Sequence, residues 1–210
     1  MTADRGMNQA KRVGMIGGTF DPIHIGHLII AEEARTRLEL QQMVFVPAGR
    51  PPHKLDHEIA DAESRVAMVR LAIADNPHFA ASRIDVDRPG PCYSIDTVRI
   101  LQSQQGSETQ VFFLIGSDSL SELPTWYQPE RLLRLCQVVA VRRPGHQVDL
   151  GKVDRVLPGA GALIQVLDAP FLDVSSTEIR RRVHAGRSIR YLVPAPVEQY
   201  IREHGLYSAG

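Results

Sequence analysis

The sequence predicts an α/β fold built on a doubly wound parallel sheet, with a small helical piece at its C-terminal end. Short β-branched apolar runs alternate with amphipathic stretches, a pattern typical of parallel strands joined by right-handed helical crossovers. The runs are almost continuously apolar, as expected of strands covered on both faces. They are Val13–Ile16, Met43–Val46, Val111–Ile115, Val138–Val141 and Ile164–Leu167. Such a sheet is Rossmann-like and binds ligands beyond the carboxyl ends of its strands.

Amphipathic stretches between and after these runs predict the helices. They are His27–Leu38, Glu63–Ala74, Ser94–Gln105, Pro129–Cys136 and Ser176–Ala185. We expect Gly186 to cap the last of these, and a further helix to open at Pro194 and Pro196 and to end at Gly205. The segment Gly145–Gly161 is Gly-rich with mixed charge, and it is interpreted as an insertion or irregular connection.

Length, charge and cysteine content restrict the class of protein. The 210 residues carry 24 Lys and Arg against 24 Asp and Glu, so a broad nucleic-acid-binding surface is not expected. We expect residues 1–12 to be a disordered N-terminal extension and residues 13–210 to form a single domain. No apolar run approaches 18 residues, so no membrane span is expected. Cys92 and Cys136 form no CxxC pattern, which favours reduced thiols in a cytoplasmic protein.

The loop after the first run carries the strongest chemical signal. Gly17 and Gly18 allow the backbone to approach a ligand, Thr19 and Phe20 follow, and a helix then begins near His27. A helix N-terminus attracts phosphate. His24 and His27 lie three residues apart at that helix start, so both can donate an N–H to the same anion. Taken singly, each would be interpreted as a surface histidine on a turn. The loop matches neither GxGxxG nor a P-loop, and without HExxH or a cysteine partner a zinc site is disfavoured, so no metal ligands are assigned.

A second anion site is predicted near the C-terminal end. Ser175 followed by Glu178 is a capping box, so a helix begins there and offers free N–H groups. Ser176 and Thr177 add hydroxyl groups, and Arg180 lies one turn further along with a guanidinium suited to phosphate oxygens. The neighbouring Arg181 and Arg182 are expected to form a solvated face.

These two segments resemble a known superfamily. Gly17–His27, with its His-Ile-Gly-His, resembles the signature of the HxGH nucleotidyltransferases, and GGTFDPIHIGHL as a whole resembles the nicotinate-nucleotide adenylyltransferase branch. VSSTEIR resembles the ISSTxIR motif that holds the ATP triphosphate in that superfamily. The resemblance runs from about Val13 to Tyr207 and is weakest across Gly145–Gly161.

Four further segments carry the same resemblance. Lys54 stands where the family has a basic residue for phosphate, and Arg143 where members carry Arg near the mononucleotide phosphate. The segment from Cys92 to Thr97 is similar to the family's SYTxxT, with Ser94 keeping the hydroxyl that would bind the pyridine carboxylate. The segment from Gly116 to Tyr127 is similar to GxDSL…W. There Trp126 would stack on the pyridine or pack in the core, Tyr127 would supply a donor, and Asp118 would accept ribose hydroxyls or cap a helix.

The resemblance implies adenylyl transfer from ATP to nicotinate mononucleotide, giving deamido-NAD and pyrophosphate in NAD biosynthesis. His24, His27 and Arg180 would be catalytic, Mg²⁺ would arrive on the ATP phosphates, and no nucleic acid or membrane would take part. The alternatives are an adenylyltransferase for nicotinamide mononucleotide or pantetheine phosphate, a class I synthetase fragment, and a non-catalytic nucleotide sensor. A homo-oligomer is left open.

Overall fold

A single parallel sheet of six strands forms the centre of the protein. The computed structural model describes residues 10–49, 59–142, 148–170 and 172–209. The strands are β1 Arg12–Gly18, β2 Gln42–Pro47, β3 Phe79–Ala81, β4 Gln110–Gly116, β5 Gln137–Arg142 and β6 Ile164–Asp168. Their order is β3-β2-β1-β4-β5-β6, and every neighbouring pair is parallel. The predicted Rossmann-like fold class is therefore confirmed.

Helices cover both faces of this sheet. They are α1 Ile25–Arg37, α2 Ala62–Ile73, α3 Ile84–Asp87, α4 Ser94–Gln105, α5 Ser117–Glu122, α6 Pro129–Leu135, α7 Leu150–Val156, α8 Ser176–His184 and α9 Ala195–Glu203. Within the described ranges, no helix combines the length and the apolar character needed to cross a bilayer.

The strand order reverses between β1 and β4. From β1 the chain winds outward through β2 to β3, and from β4 it winds the other way through β5 to β6. The carboxyl ends of β1 and β4 therefore diverge into loops that leave on opposite faces, and the crevice between them is the usual ligand site of an open parallel sheet. In register, Ile16 of β1 lies beside Leu114 of β4.

Alternation along the strands creates two cores. Met15 is buried in one apolar cluster and Ile16 in the other, because successive side chains point to opposite faces of the sheet. Both clusters are lined by apolar helix faces, which accounts for the almost continuous apolar runs in the sequence.

The structure corrects several predicted boundaries. β3 was missed, because three residues of Phe and Ala give no periodic signal. The interpretation of Gly145–Gly161 as irregular is wrong over Leu150–Val156, which forms α7 with the Asp149 carboxylate capping it at the Lys152 N–H. α1 begins at Ile25 rather than His27, and β1 begins at Arg12, one residue before the predicted run.

The predicted ends of the last two helices are confirmed. Gly186 follows α8 with φ 63°, and Gly205 follows α9 with φ 61°. At each helix end, two backbone N–H groups donate to carbonyls of the last turn, which is the Schellman arrangement. After α8, the Arg187 N–H donates to the Arg182 carbonyl and the Gly186 N–H to the Val183 carbonyl. The segment after α8 then contacts the start of α1, where the Leu192 carbonyl accepts the Ile25 N–H, and α9 packs against α2.

Candidate functional site

A cavity of about 440 Å³ opens where the sheet reverses. Its walls come from the ends of β1, β2 and β4 and from the starts of α4 and α5, and we call it the switch-point cavity. Seven predicted site residues line it: Gly17, Gly18, Thr19, His27, Ser94, Asp118 and Trp126. A second groove, of about 600 Å³ beside β3 and α4, is lined by none of the predicted site residues that the structure describes.

The other predicted residues fall into two groups. Lys54 and Arg143 lie outside the described residues, so their roles stay predictions. The rest border the first loop or the start of α8, or lie beside the cavity without lining it: Phe20, His24, Tyr127, Ser175, Ser176, Thr177 and Arg180.

The two histidines form a stacked pair at the start of α1. His24 is the N-cap residue, and its backbone N–H donates to Nδ1 of His27 at 3.2 Å. The ring centroids are 3.7 Å apart. Because Nδ1 of His27 accepts this bond, the neutral ring carries its proton on Nε2 and remains a donor without needing a positive charge.

Two neighbours fix the orientation of the histidine pair. The Phe20 ring meets His27 edge-on with centroids 5.1 Å apart. A Cβ on Gly26 would lie 3.1 Å from Nδ1 of His24, so a glycine between the histidines lets the His24 ring fold over the helix start. The HxGH spacing therefore has a packing reason in addition to its chemistry.

The start of α8 rests against the first loop. The hydroxyl of Ser176 donates to the carbonyl of Pro22 at 2.9 Å. Nη1 of Arg180 donates to the carbonyl of Asp21 at 2.7 Å and lies 3.5 Å from its carboxylate. The fold thus brings together the two segments that the sequence marked as separate anion sites.

The remaining residues of that helix start are solvent-facing. Ser175 caps α8, with its hydroxyl accepting the Glu178 N–H at 3.2 Å, and Thr177 is exposed. The Glu178 carboxylate turns to Arg181 and Arg182, and these two hydrogen-bonded guanidinium groups lower the pKa of Glu178 to about 2. The Ser175 half of the predicted capping box is confirmed, while the Glu178 side chain serves the solvated arginine face.

Sequence reasoning missed a buried network behind the first loop. The Asp21 side chain is 1% exposed, and its Oδ1 accepts from the Tyr207 hydroxyl at 2.6 Å and from the Ala60 N–H at 3.1 Å. Burial, followed by the nearby carboxylate, raises the pKa of Tyr207, so the phenol stays a neutral donor. Tyr207 lies 186 positions from Asp21, and no local motif signals the contact.

Arg65 of α2 was also missed. It is 2% exposed, and its guanidinium donates to backbone carbonyls of Thr19 (2.9 Å), Ala48 (2.7 Å), Gly49 (3.1 Å) and Ala60 (3.0 Å). Burial lowers its pKa, with the charge of Asp21 acting in the opposite direction. Thr19 and Ala48 line the cavity, so one buried arginine fixes the loops after β1 and β2 relative to each other.

Aromatic rings lie in the cavity lining and beside it. Trp126 is half-buried against the core, with its ring 6.1 Å from that of Phe113, and it also lines the cavity. Packing against the core is therefore shown in part, and stacking on a pyridine ring stays a prediction for a residue that lines the cavity. The ring of Tyr127 stacks on Tyr93 at 4.3 Å, and this pair lies outside the cavity lining.

Two carboxylates line the same cavity. Asp118 lies in the first turn of α5, after the N-cap residue Gly116, so it is not the helix cap. Its exposed position in the lining keeps the ribose alternative open. Asp85 of α3 is the second, and burial raises its pKa while a bond from Thr97 opposes that shift. In the part of the chain that the structure describes, no three His, Cys, Asp or Glu side chains cluster in a way that could hold a metal ion.

Comparisons with known proteins agree with this geometry. Residues 15–182 match the cytidylyltransferase-like family. The "Probable nicotinate-nucleotide adenylyltransferase" of Thermomicrobium roseum is 46% identical over 197 residues, covering 94% of this chain and 92% of the relative. That of Moorella thermoacetica is 48% identical over 198 residues, covering 93% and 91%. The chain belongs to the nicotinate-nucleotide adenylyltransferase family.

Solved structures support the fold of this family. The Plasmodium falciparum nicotinic acid mononucleotide adenylyltransferase complexed with NaAD superposes with a TM-score of 0.75 at 17% identity, covering 94% of this chain and 97% of that one. The crystal structure of a "Putative Nicotinate-nucleotide Adenylyltransferase" from Vibrio parahaemolyticus gives a TM-score of 0.67 at 16% identity, covering 95% of this chain and 97% of that one. At this level of identity the agreement concerns the architecture.

Proposed function

We propose that this protein transfers the adenylyl group of ATP to nicotinate mononucleotide, giving deamido-NAD and pyrophosphate. The observation that carries the proposal is one cavity whose lining combines two chemically different sets of residues. Gly17, Gly18, Thr19 and His27 form one set, called here the phosphate end, and Ser94 and Trp126 form the other, called the acceptor end. The first set suits phosphate, and the second suits a flat ring that bears a polar substituent.

The chemistry requires orientation and charge stabilisation. A phosphate oxygen of the mononucleotide attacks the α-phosphorus of ATP, and the bond from that phosphorus to the β-bridging oxygen breaks as pyrophosphate leaves. Because the nucleophile is already anionic, no general base is needed. The contribution of the protein is to hold two anions in line and to place donors where negative charge grows.

His27 is the donor best placed for that role. Its Nδ1 is held by the His24 N–H, which directs the Nε2–H away from the helix start, and His27 lines the cavity. A preorganised donor of this kind costs no reorganisation as charge develops in the transition state. We assign His24 to phosphate contact and to the orientation of its partner.

Arg180 and Ser176 serve the leaving pyrophosphate in this proposal. They already contact the first loop, through Asp21 and Pro22, so the helix start of α8 lies next to the phosphate end. Ser175, Thr177 and Lys54 are assigned to the same end on the resemblance. MgATP is the expected substrate form, and its metal neutralises phosphate charge.

Ser94 and Trp126 serve the acceptor. Ser94 begins α4 and offers a hydroxyl beside that helix start, and Trp126 offers an indole face for a pyridine ring. Asp118 is assigned to ribose hydroxyls, while Tyr127 and Arg143 keep their predicted acceptor roles. Cys92 and Cys136 are free thiols, which supports a reducing, cytoplasmic compartment.

A pyrophosphate-release assay tests the proposal. Purified protein with MgATP is given nicotinate mononucleotide, nicotinamide mononucleotide or pantetheine phosphate in separate reactions, with a His24→Ala/His27→Ala variant as the blank. We expect release with the nicotinate compound far above the other two. Release with pantetheine phosphate alone would assign another acceptor, and binding of ATP without any release would assign a sensor.

A further inference from the structure

α3 contacts both the loop after β2 and the approach to α4 through a single residue, Asp85. A Cβ on Gly49 would overlap the carbonyl oxygen of Asp85, so the two backbones are in direct contact. Asp85 also lines the switch-point cavity. The position of α3 therefore influences the shape of the acceptor end.

Asp85 holds the start of α4 at two points. Its Oδ1 accepts a hydrogen bond from the Thr97 hydroxyl at 2.7 Å, and its carbonyl accepts one from the Cys92 thiol at 3.3 Å. Cys92 lies two residues before Ser94, and Thr97 lies one helical turn after it. The two contacts therefore lie on either side of Ser94 in the chain, and together they restrict the position of its hydroxyl.

The charge of Asp85 is compensated by Arg88, which does not line the switch-point cavity. Nη2 of Arg88 lies 3.0 Å from its carboxylate and also reaches the Thr97 hydroxyl at 3.4 Å. The side chains of Asp85 and Arg88 are 12% and 17% exposed. A cavity that must accept an anion thus contains a carboxylate whose charge is offset by a neighbouring guanidinium.

We propose that Asp85 and Thr97 are positioning residues that set the acid-against-amide preference of the acceptor site through Ser94. The proposal rests on the function proposed above. A hydroxyl donor bonds well to a carboxylate over a narrow range of distance and angle. A displacement of about 1 Å in such a group can cost as much as 10²-fold in rate.

Thr97→Val in the full chain is the direct test, because valine keeps the shape of threonine and removes the hydroxyl. We expect kcat/KM for nicotinate mononucleotide to fall about tenfold, mainly through KM, the size expected when one bond to a charged group is weakened. The values for nicotinamide mononucleotide and the KM for ATP should stay within about twofold. Thr97→Ser restores the donor and should recover most of the acid preference.

Thr109→Val is the matched control. Thr109 is 5% exposed, and its hydroxyl donates at 3.0 Å to the carbonyl of Gln105 at the opposite end of α4. Thr97→Val removes the contacts of its hydroxyl with Asp85, Arg88 and the Tyr93 carbonyl, and Thr109→Val removes one bond at the other end of α4, so both variants should lose thermal stability. Only Thr97→Val should change the ratio of the two kcat/KM values.

Three outcomes would overturn the inference: an unchanged acid-to-amide ratio in folded Thr97→Val, an equal change in Thr109→Val, or no recovery in Thr97→Ser. Circular dichroism at the assay temperature gives the folded fraction for scaling the rates. If Thr97→Val does not fold, Thr97→Ala at 10 °C replaces it under the same criteria. Failure of the unmodified enzyme to use either mononucleotide would refute the proposed function instead.

Discussion

Arg180 and Asp21 are 159 positions apart in the chain, yet Nη1 of Arg180 donates to the Asp21 carbonyl at 2.7 Å. The same nitrogen lies 3.5 Å from the buried carboxylate of Asp21. Because Nη1 makes both contacts, the guanidinium can hold the first loop with one nitrogen and a phosphate with the other. Arg180 thus links the two halves of the phosphate end.

Arg180→Lys should separate these two tasks. Lysine keeps the charge but lacks the planar fork, so it cannot hold Asp21 with one nitrogen and the phosphate with another. We expect KM for ATP to rise about tenfold, the effect of losing a charge-assisted bond, with the mononucleotide KM unchanged. Arg181→Lys, on the solvated face, is the control. If mononucleotide binding weakened while ATP binding did not, the assignment of the two phosphate sites to the two substrates would have to be reversed.

His27→Ala should lower kcat by about 10²–10³, the typical loss for one preorganised donor to developing charge. The Tm should change little, because His27 is half-buried and its backbone bonds persist. His78→Ala, an exposed histidine, serves as the control. Single-turnover measurement at saturating MgATP and mononucleotide isolates the chemical step, and a near-normal rate there would remove His27 from the transition state.

Tyr207→Phe should destabilise the protein by about 1–3 kcal/mol, the cost of leaving a buried acceptor without its donor. Because burial raises the pKa of Tyr207, its contribution is complete below its unfolded pKa of about 10 and declines as pH rises further. The gap in urea midpoint between wild type and variant should therefore be constant from pH 7 to 9 and shrink above pH 10. Tyr191→Phe is the control, because Tyr191 is 84% exposed. A difference in urea midpoint that persisted at high pH would contradict the assigned bond between Tyr207 and Asp21.

The two motifs proposed to bind phosphate could be placed on their elements from the sequence because their signals are local. His24 and His27 follow a strand within one loop, and Ser175 begins a helix by a capping pattern, so each motif contains its own structural reason. The juxtaposition of the two motifs through Asp21 and Arg180 follows from strand order, which no single motif contains.

There is a physical reason why Arg65 and Asp85 could not be predicted from the sequence. An arginine in an amphipathic helix is most often exposed. Arg65 has four carbonyl acceptors only because the loop after β1 and the connection between β2 and α2 meet at α2. Asp85 lies in a four-residue helix without periodicity. In both cases the role depends on partners that are distant in sequence.

The acceptor end gives a pair of predictions with opposite patterns. Trp126→Ala removes a stacking surface that nicotinate and nicotinamide mononucleotides share, so it should raise both KM values by a similar factor, about tenfold for one stacked ring. Ser94→Ala removes a donor that bonds the carboxylate, so it should lower kcat/KM for the acid by about tenfold or more and leave the amide nearly unchanged.

The comparison of these two variants isolates the origin of the acid preference. A hydroxyl can donate to a carboxylate oxygen, but as a donor it cannot satisfy the N–H groups of an amide. The wild-type preference for the acid should therefore be about 10²–10⁴ in kcat/KM. Ser94→Ala should reduce that ratio and Trp126→Ala should preserve it, with Ser107→Ala on the exposed turn after α4 as the control. Equal kcat/KM values for acid and amide in the wild type would show that the pocket does not discriminate, and the phosphate end would then serve an enzyme of dual specificity.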